Sequence, residues 1–86
     1  MFIKIQAKPK KRILGDVLRH AREELGLERE ELANAMCFRH WQIQEIEEAE
    51  TWRYFYTMEI KIQSSIKVGN FLGLSQDQYL VDIAEE

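Results

Sequence analysis

The sequence has a single cysteine and few of the residue patterns that build metal or phosphate sites. Cys37 alone excludes an internal disulfide and a multi-cysteine zinc site. The glutamates have no partner histidines at metal-binding spacing, and the chain has no glycine-rich phosphate loop. No apolar run approaches the roughly 18 residues needed to cross a bilayer, and no signal-peptide core follows the N-terminus. We therefore expect a cytosolic protein that needs neither a metal nor a cofactor.

The chain is also short, which limits the core that it can build. Its 86 residues form one domain, with a core of roughly 20 apolar side chains and no room for an enclosed pocket around a large cofactor. A hydrophobic fraction of 45% and a charged fraction of 31% argue against disorder. His20 or His40 could pair with the thiol of Cys37, but a lone cysteine is far more often a small buried hydrophobe. We predict that Cys37 is buried and that the protein is not an enzyme.

Charge is distributed unevenly along the chain. From Met1 to Arg22 the sequence has seven basic residues and one acidic residue, a net charge of +6. Residues 23–86 have five basic and fourteen acidic residues, a net charge of −9. The basic end could contact a polyanion or could be a solubilising arm, and the charge pattern allows both. We divide the chain into a basic N-terminal arm, residues 1–12, and a folded domain, residues 13–86.

Apolar spacing predicts a short strand followed by three helices. Residues 2–7 alternate enough to form a strand, which Pro9 would end. A stripe with a 3.6-residue period predicts the first helix, and Gly26 would end it in a left-handed conformation. The stripe consists of Leu14, Val17, Leu18, Ala21 and Leu25. Residues 28–36 are predicted as the second helix and residues 39–50 as the third. Their inward-facing residues would be Leu32, Ala33, Met36, Ile43 and Ile46.

The third predicted helix collects negative charge at its C-terminal end. Glu47, Glu48 and Glu50 lie there, although the helix dipole disfavours negative charge at this end. We therefore predict that a basic side chain lies near at least one of these three glutamates.

The segment after the third helix has two interpretations. Residues 51–62 alternate as a strand does, and a strand over residues 54–62 could pair with residues 2–7. A helical stripe continues from this segment, and it consists of Ile62, Ser65, Ile66, Gly69 and Leu72. We favour a turn over residues 51–56 and a helix over about residues 57–72, and keep the strand as the alternative.

A fifth helix is predicted near the end of the chain. Ser75 and Gln78 have the spacing of a capping box, and apolar residues follow them. The predicted fold class is therefore all-α, with five helices and a short N-terminal strand.

The joint spacing of these helices resembles the helix-turn-helix of the phage repressor and Cro type. The matching positions are Gly26-Leu27, Glu31-Leu32-Ala33, Phe38, Ile43, Ile46, Glu47 and the joint Leu72-Gly73-Leu74-Ser75. The similarity spans about residues 13–83. It implies a lambda-repressor-like helix-turn-helix domain in which Arg22, late in the first helix, pairs with Glu47 at the end of the third. Cys37 stands where this family often has glycine, and a left-handed residue there would cost about 1–2 kcal/mol.

The same resemblance implies a transcriptional regulator that binds double-stranded DNA. Such proteins place the start of the third helix in the major groove, where Arg39 could pair with guanine and Gln42 or Gln44 with adenine. The predicted DNA-contacting residues are Arg29, Arg39, His40, Trp41, Gln42, Gln44 and Glu45. The predicted phosphate contacts are Lys8, Lys10, Lys11, Arg12 and Arg53. Because the chain is acidic overall, we expect a homodimer to be needed for useful affinity.

A protein-docking module is the second interpretation. Between Glu50 and the Leu72-Gly73 joint the chain is about two helical turns longer than compact phage repressors, and this segment begins with aromatic residues. It is similar in this to the cytoplasmic domain of RodZ-type cell-shape proteins, in which the helix-turn-helix fold docks onto an actin-like filament rather than DNA. The aromatic residues that could bind a partner are Trp41, Trp52, Tyr54, Phe55 and Tyr56. Exposed rings would favour docking, and a continuous positive face would favour DNA.

Overall fold

The computed structural model describes residues 11–83, which form four helices and one small sheet. The helices are α1 (Gly15–Glu24), α2 (Arg29–Met36), α3 (His40–Glu48) and α4 (Met58–Phe71). The sheet pairs β1 (Lys11–Ile13) with β2 (Leu80–Asp82) in antiparallel orientation, and a single 3₁₀ turn (Gln76–Gln78) precedes β2. The strand predicted at residues 2–7 lies outside the described residues.

The first three helices confirm the predicted apolar spacing. The residues expected to face inward are buried or partly buried, and they enclose one core together with α4 and Tyr79. The core consists of Leu18, Leu32, Ala33, Ile43, Ile46, Val68, Leu72, Tyr79 and Leu80. Leu25 is the exception, since it is 57% exposed. α1 ends at Glu24 and Gly26 turns the chain with φ 73°, which places Leu25 beyond the packed face.

The turn between α2 and α3 occupies residues 37–39. Cys37 ends α2 in a left-handed conformation, with φ 61° and ψ 35°, so the cost expected for a side chain at this position applies. The prediction that Cys37 is buried is wrong, because its side chain is exposed. Phe38 packs against the core instead, and its N–H donates to the carbonyl of Ala33 at 2.8 Å. The cysteine therefore shapes the turn and does not fill the core.

The helix predicted over about residues 57–72 is confirmed as α4. Thr57 is its N-cap, and the Oγ of Thr57 accepts a hydrogen bond from the N–H of Ile60 at 3.0 Å. The alternative of a strand over residues 54–62 is wrong, since α4 begins at Met58. The alternating aromatic residues before this point belong to a turn, as predicted.

The predicted fifth helix is wrong, and with it the all-α, five-helix fold class. The N–H of Ser75 donates to the side-chain oxygen of Gln78 at 2.8 Å, but this local capping interaction supports only one 3₁₀ turn. Beyond it, the backbone of β2 pairs with β1, from Lys11 opposite Asp82 to Ile13 opposite Leu80. β2 therefore forms because it pairs with β1 at the other end of the domain. A pairing between residues so far apart leaves no signal in the local sequence pattern.

Candidate functional site

A buried ion pair holds the end of α3 against α1. The Nε of Arg22 donates to one carboxylate oxygen of Glu47 at 2.7 Å, and its Nη2 donates to the other at 3.1 Å. The remaining nitrogen of Arg22 donates to the carbonyl of Leu27 at 2.7 Å. Both charged side chains are buried. This is the pair that the resemblance implied, and it gives Glu47 the basic neighbour predicted from the helix dipole.

Arg29 is bound to the same end of α3. Its Nε donates to Glu47 at 2.9 Å, and its Nη2 donates to Glu48. Burial alone would lower the pKa of Arg29, but hydrogen bonds to the two glutamates raise it. Arg29, a predicted DNA contact, thus remains charged and is ion-paired with two glutamates of α3.

Four of the predicted contact residues lie exposed at the start of α3. They are Arg39, His40, Trp41 and Gln44. The guanidinium carbon of Arg39 lies 5.6 Å from the ring centroid of Trp41, at the distance of a cation–π contact. The ring of His40 lies edge-on to the same tryptophan, with 5.3 Å between centroids. The outer face of α3 thus presents a tryptophan flanked by two basic side chains.

Gln42, a predicted adenine contact, is used within the chain. Its side-chain oxygen accepts from the N–H of Arg39 at 3.0 Å, which caps α3, and its amide donates to the carbonyl of Tyr54 at 3.1 Å. This second bond attaches the segment that links α3 to α4. We call that segment, residues 49–57, the aromatic loop.

Glu45, the predicted cytosine contact, is also used within the chain. Its carboxylate is buried and accepts hydrogen bonds from the hydroxyl of Thr51 at 2.5 Å and from the N–H groups of Arg53 at 2.6 Å and Tyr54 at 2.9 Å. Backbone donors in a loop must find acceptors, and an ionised carboxylate is a strong one. Glu45 therefore orders the aromatic loop, and its carboxylate is occupied by donors of the chain itself.

The protonation of Glu45 follows from these bonds. Burial alone would raise the pKa of this carboxyl, but the hydrogen bonds from Thr51 and from the backbone of Tyr54 and Arg53 lower it below its ordinary value. Glu45 is therefore ionised at neutral pH and holds the loop as an anion.

Lys61 holds the aromatic loop from the opposite side, and the sequence analysis missed it. Its side chain is only 1% exposed, and its Nζ donates to the carbonyls of Ala49 at 2.8 Å and Thr51 at 2.5 Å. Burial lowers the pKa of Lys61, while the negative charges of Glu45 and Glu50 act against that shift. A signal was present in the sequence, because Lys61 lies four and seven residues before Ser65 and Val68, on the buried face of α4.

The aromatic loop presents most of its rings to solvent. Trp41 is 41% exposed, Trp52 45%, Tyr54 46% and Tyr56 93%. The ring centroids of Trp41 and Tyr54 lie 6.4 Å apart, so that α3 and the loop contribute to one aromatic surface. Phe55 differs from the other four, since it packs against the core. One ring therefore anchors the loop while its neighbours stay accessible.

Two shallow grooves share Arg53 and Tyr54 as a common wall. The first, of about 410 Å³, is lined on its other sides mainly by polar residues of α3 and by Trp41. The second, of about 530 Å³, lies between the aromatic loop and α4 and is more apolar. Its apolar lining consists of Phe38, Tyr54, Phe55, Tyr56 and Ile60.

The charges around these grooves are not balanced. Among residues 11–83, neither Arg39 nor Arg53 forms an ion pair. The exposed carboxylates at the end of α3 are both paired, Glu48 with Arg29 and Glu50 with Arg12. Accessible positive charge thus remains beside the exposed rings.

The described part of the basic arm is paired with acidic residues. The Nζ of Lys11 lies 2.9 Å from a carboxylate oxygen of Asp82, and Nη2 of Arg12 lies 2.9 Å from one of Glu50. Together with the pairing of Arg29, these contacts interrupt the continuous positive face that DNA binding would favour. The other predicted phosphate contacts of the arm, Lys8 and Lys10, lie outside the described residues.

No protein-family model and no curated protein sequence matches this chain. Within residues 11–83, no helix has both the length and the apolar character needed to cross a membrane. The same residues contain no cluster of three or more side chains of the types that bind metals.

Proposed function

We propose that this domain is a protein-docking module that binds its partner through the aromatic loop and the start of α3. The observation that carries the proposal is the exposure of Trp41 on α3 and of Trp52, Tyr54 and Tyr56 on a loop that buried polar contacts hold in place. Tryptophan and tyrosine are enriched where proteins bind one another, because each ring offers a large contact area with few rotatable bonds.

The way the loop is held supports the same proposal. Glu45 binds the N–H side of the loop and Lys61 binds its carbonyl side, so that ionised groups of α3 and α4 fix its backbone. A surface that is ordered before binding loses less conformational entropy when the partner arrives. Burying two charged groups costs desolvation energy, so these contacts add little to the stability of the core. Their main effect is to order the loop.

A capture experiment tests the proposal. The full chain, immobilised, is exposed to lysate of the cells that express it, with and without nuclease treatment, in parallel with a variant carrying Trp41→Ala and Tyr54→Ala. We expect the unmodified chain to retain a protein that the variant does not retain. Phe71→Ala is the matched control, because Phe71 is an exposed ring that lines neither groove. Retention that requires nucleic acid, or that survives loss of both rings, contradicts the proposal.

Sequence-specific DNA binding is the second candidate, and the exposure of Arg39, His40 and Gln44 at the start of α3 favours it. These side chains can bond base edges, and the unpaired Arg53 could contact phosphate. Binding would weaken steeply with added salt and would benefit from a homodimer. The ion pairing of Arg29 and the internal use of Gln42 and Glu45 reduce the number of groups available for this purpose.

Gel retardation of a genomic DNA fragment pool at low salt tests this candidate. Arg39→Gln together with Gln44→Ala should abolish retardation, whereas Trp52→Ala should leave it unchanged. Absence of retardation at low salt removes the candidate.

A further inference from the structure

We infer that the partner of this surface binds through an acidic segment that also carries a large apolar side chain. This inference rests on the proposed docking function and specifies the chemistry of its partner. Two features of the described residues support it: the positive charges left unpaired beside the rings, and the apolar groove between the aromatic loop and α4.

The charge of the partner follows from the groups that remain available. Arg53 lines both grooves, and Arg39 lies at the edge of the same surface against Trp41. Within residues 11–83 neither arginine has a carboxylate at ion-pair distance. A partner that supplies carboxylates to both positions would gain charge-assisted hydrogen bonds and faster association.

A partner with a basic segment would not gain such contacts. The carboxylate of Glu45 is buried and already accepts three hydrogen bonds, and Glu48 is paired with Arg29. Lysines or arginines on the partner would therefore find both carboxylates that line the first groove already bound, and they would be repelled by Arg39 and Arg53. Like charges brought together at an interface disfavour the wrong partner.

The apolar side chain of the partner follows from the second groove. Its wall combines Tyr54 and the highly exposed Tyr56 with Phe38, Phe55 and Ile60. An aromatic or branched aliphatic side chain entering this groove would remove apolar surface from water on both sides, as a binding anchor does. The outer surface of a DNA duplex carries phosphates and sugars and cannot supply such a side chain, so that the groove favours a protein over DNA.

Selection from a random peptide library tests this inference. Peptides of about 15 residues are selected on the immobilised full chain after depletion on the Trp41→Ala, Tyr54→Ala variant, and their charge and apolar content are compared with the unselected library. We expect enrichment of Asp and Glu around one large apolar residue. Affinity of the selected peptides should fall roughly tenfold in the Arg39→Gln, Arg53→Gln variant and should decrease with added salt.

A matched control separates this effect from the loss of charge in general. Lys11→Gln removes one positive charge from β1, which lines neither groove, and should change affinity less than about twofold. Circular dichroism checks that each variant remains folded.

The outcomes distinguish the two proposals. Peptides that require Trp41 and Tyr54 but carry neutral or basic charge would overturn the acidic partner and leave the docking function standing. A selection that yields no peptide dependent on these rings overturns both, and retention of duplex DNA by the same chain would then assign the surface to nucleic acid.

Discussion

The carboxylate of Glu45 accepts a hydrogen bond from the backbone N–H of Tyr54 at 2.9 Å, which links α3 to the aromatic loop. Lys61 completes the attachment by donating to the carbonyls of Ala49 and Thr51. The exposed rings therefore owe their position to side chains that are themselves buried. A substitution of Glu45 or Lys61 should therefore alter the position of the exposed rings, although neither residue is part of the exposed surface.

Glu45→Gln should destabilise the domain by about 2–3 kcal/mol, because a neutral amide replaces an anion that accepts three hydrogen bonds. Urea denaturation measures the loss, and hydrogen exchange at the N–H groups of Arg53 and Tyr54 should become faster. Glu48→Gln is the control, since Glu48 is exposed and does not bind the loop, and it should leave exchange in the loop unchanged. Equal exchange in the two variants would exclude the role given to Glu45.

Acid should weaken the domain through the same carboxylate. The pKa of Glu45 is lower in the folded protein than in the unfolded chain, so its ionised form stabilises the fold. This contribution is present above the unfolded pKa of about 4.3 and is lost as the pH falls through the folded pKa. Stability measured between neutral pH and pH 3 should therefore decline less in Glu45→Gln than in the unmodified protein. Some decline should remain, since Arg29 lowers the pKa of Glu48. Parallel pH profiles for the two proteins would contradict this assignment.

Arg22→Met should cost about 3 kcal/mol, because it leaves the buried carboxylate of Glu47 without its principal partner. This loss of stability should lie at the lower end of the range for breaking a buried ion pair, since Arg29 still binds Glu47. Thermal or urea unfolding measures it. The matched control is Lys11→Met, which breaks the exposed pair with Asp82 and should cost less than about 1 kcal/mol. Similar losses in both variants would show that the buried pair is not a principal contact between α1 and α3.

Cys37→Gly should stabilise the domain by about 1 kcal/mol, because glycine adopts the left-handed conformation at this turn without steric cost. Cys37→Ala keeps the β-carbon and should give no gain, which makes it the control. The exposed thiol of the unmodified protein should also react with a thiol reagent under native conditions. Protection of the thiol until the protein unfolds would contradict the exposed position of Cys37.

The sequence predicted the helices where local spacing determines them. The stripe through Leu18, the stripe that begins at Ile62 and the accumulation of glutamates near Glu47 all act within a few turns of helix, and the structure agrees with each. The prediction of a fifth helix was wrong because a contact between distant residues decides the structure there. The capping box at Ser75 is local, whereas the pairing of β2 with β1 depends on residues at the other end of the domain.

In the candidate site too, the sequence predicted what local spacing determines and missed what depends on distant parts of the chain. Exposure at the start of α3 follows from helical periodicity, so Arg39 and Trp41 lie where they were expected. The resemblance places Glu45 among the DNA contacts by its position in the third helix, and nothing in the spacing shows that the loop supplies it with donors. Lys61 was missed because the burial of a lysine depends on carbonyls that only the folded chain places around it.

The small sheet also determines how the domain responds to tension. Lys11 is opposite Asp82, so that β1 begins and β2 ends at the same end of the sheet. A force that pulls the start of β1 away from the end of β2 would break the hydrogen bonds between the strands one after another. It would not stretch all of them at the same time. The ends should therefore peel apart under modest load, while the helices that carry the aromatic loop stay packed.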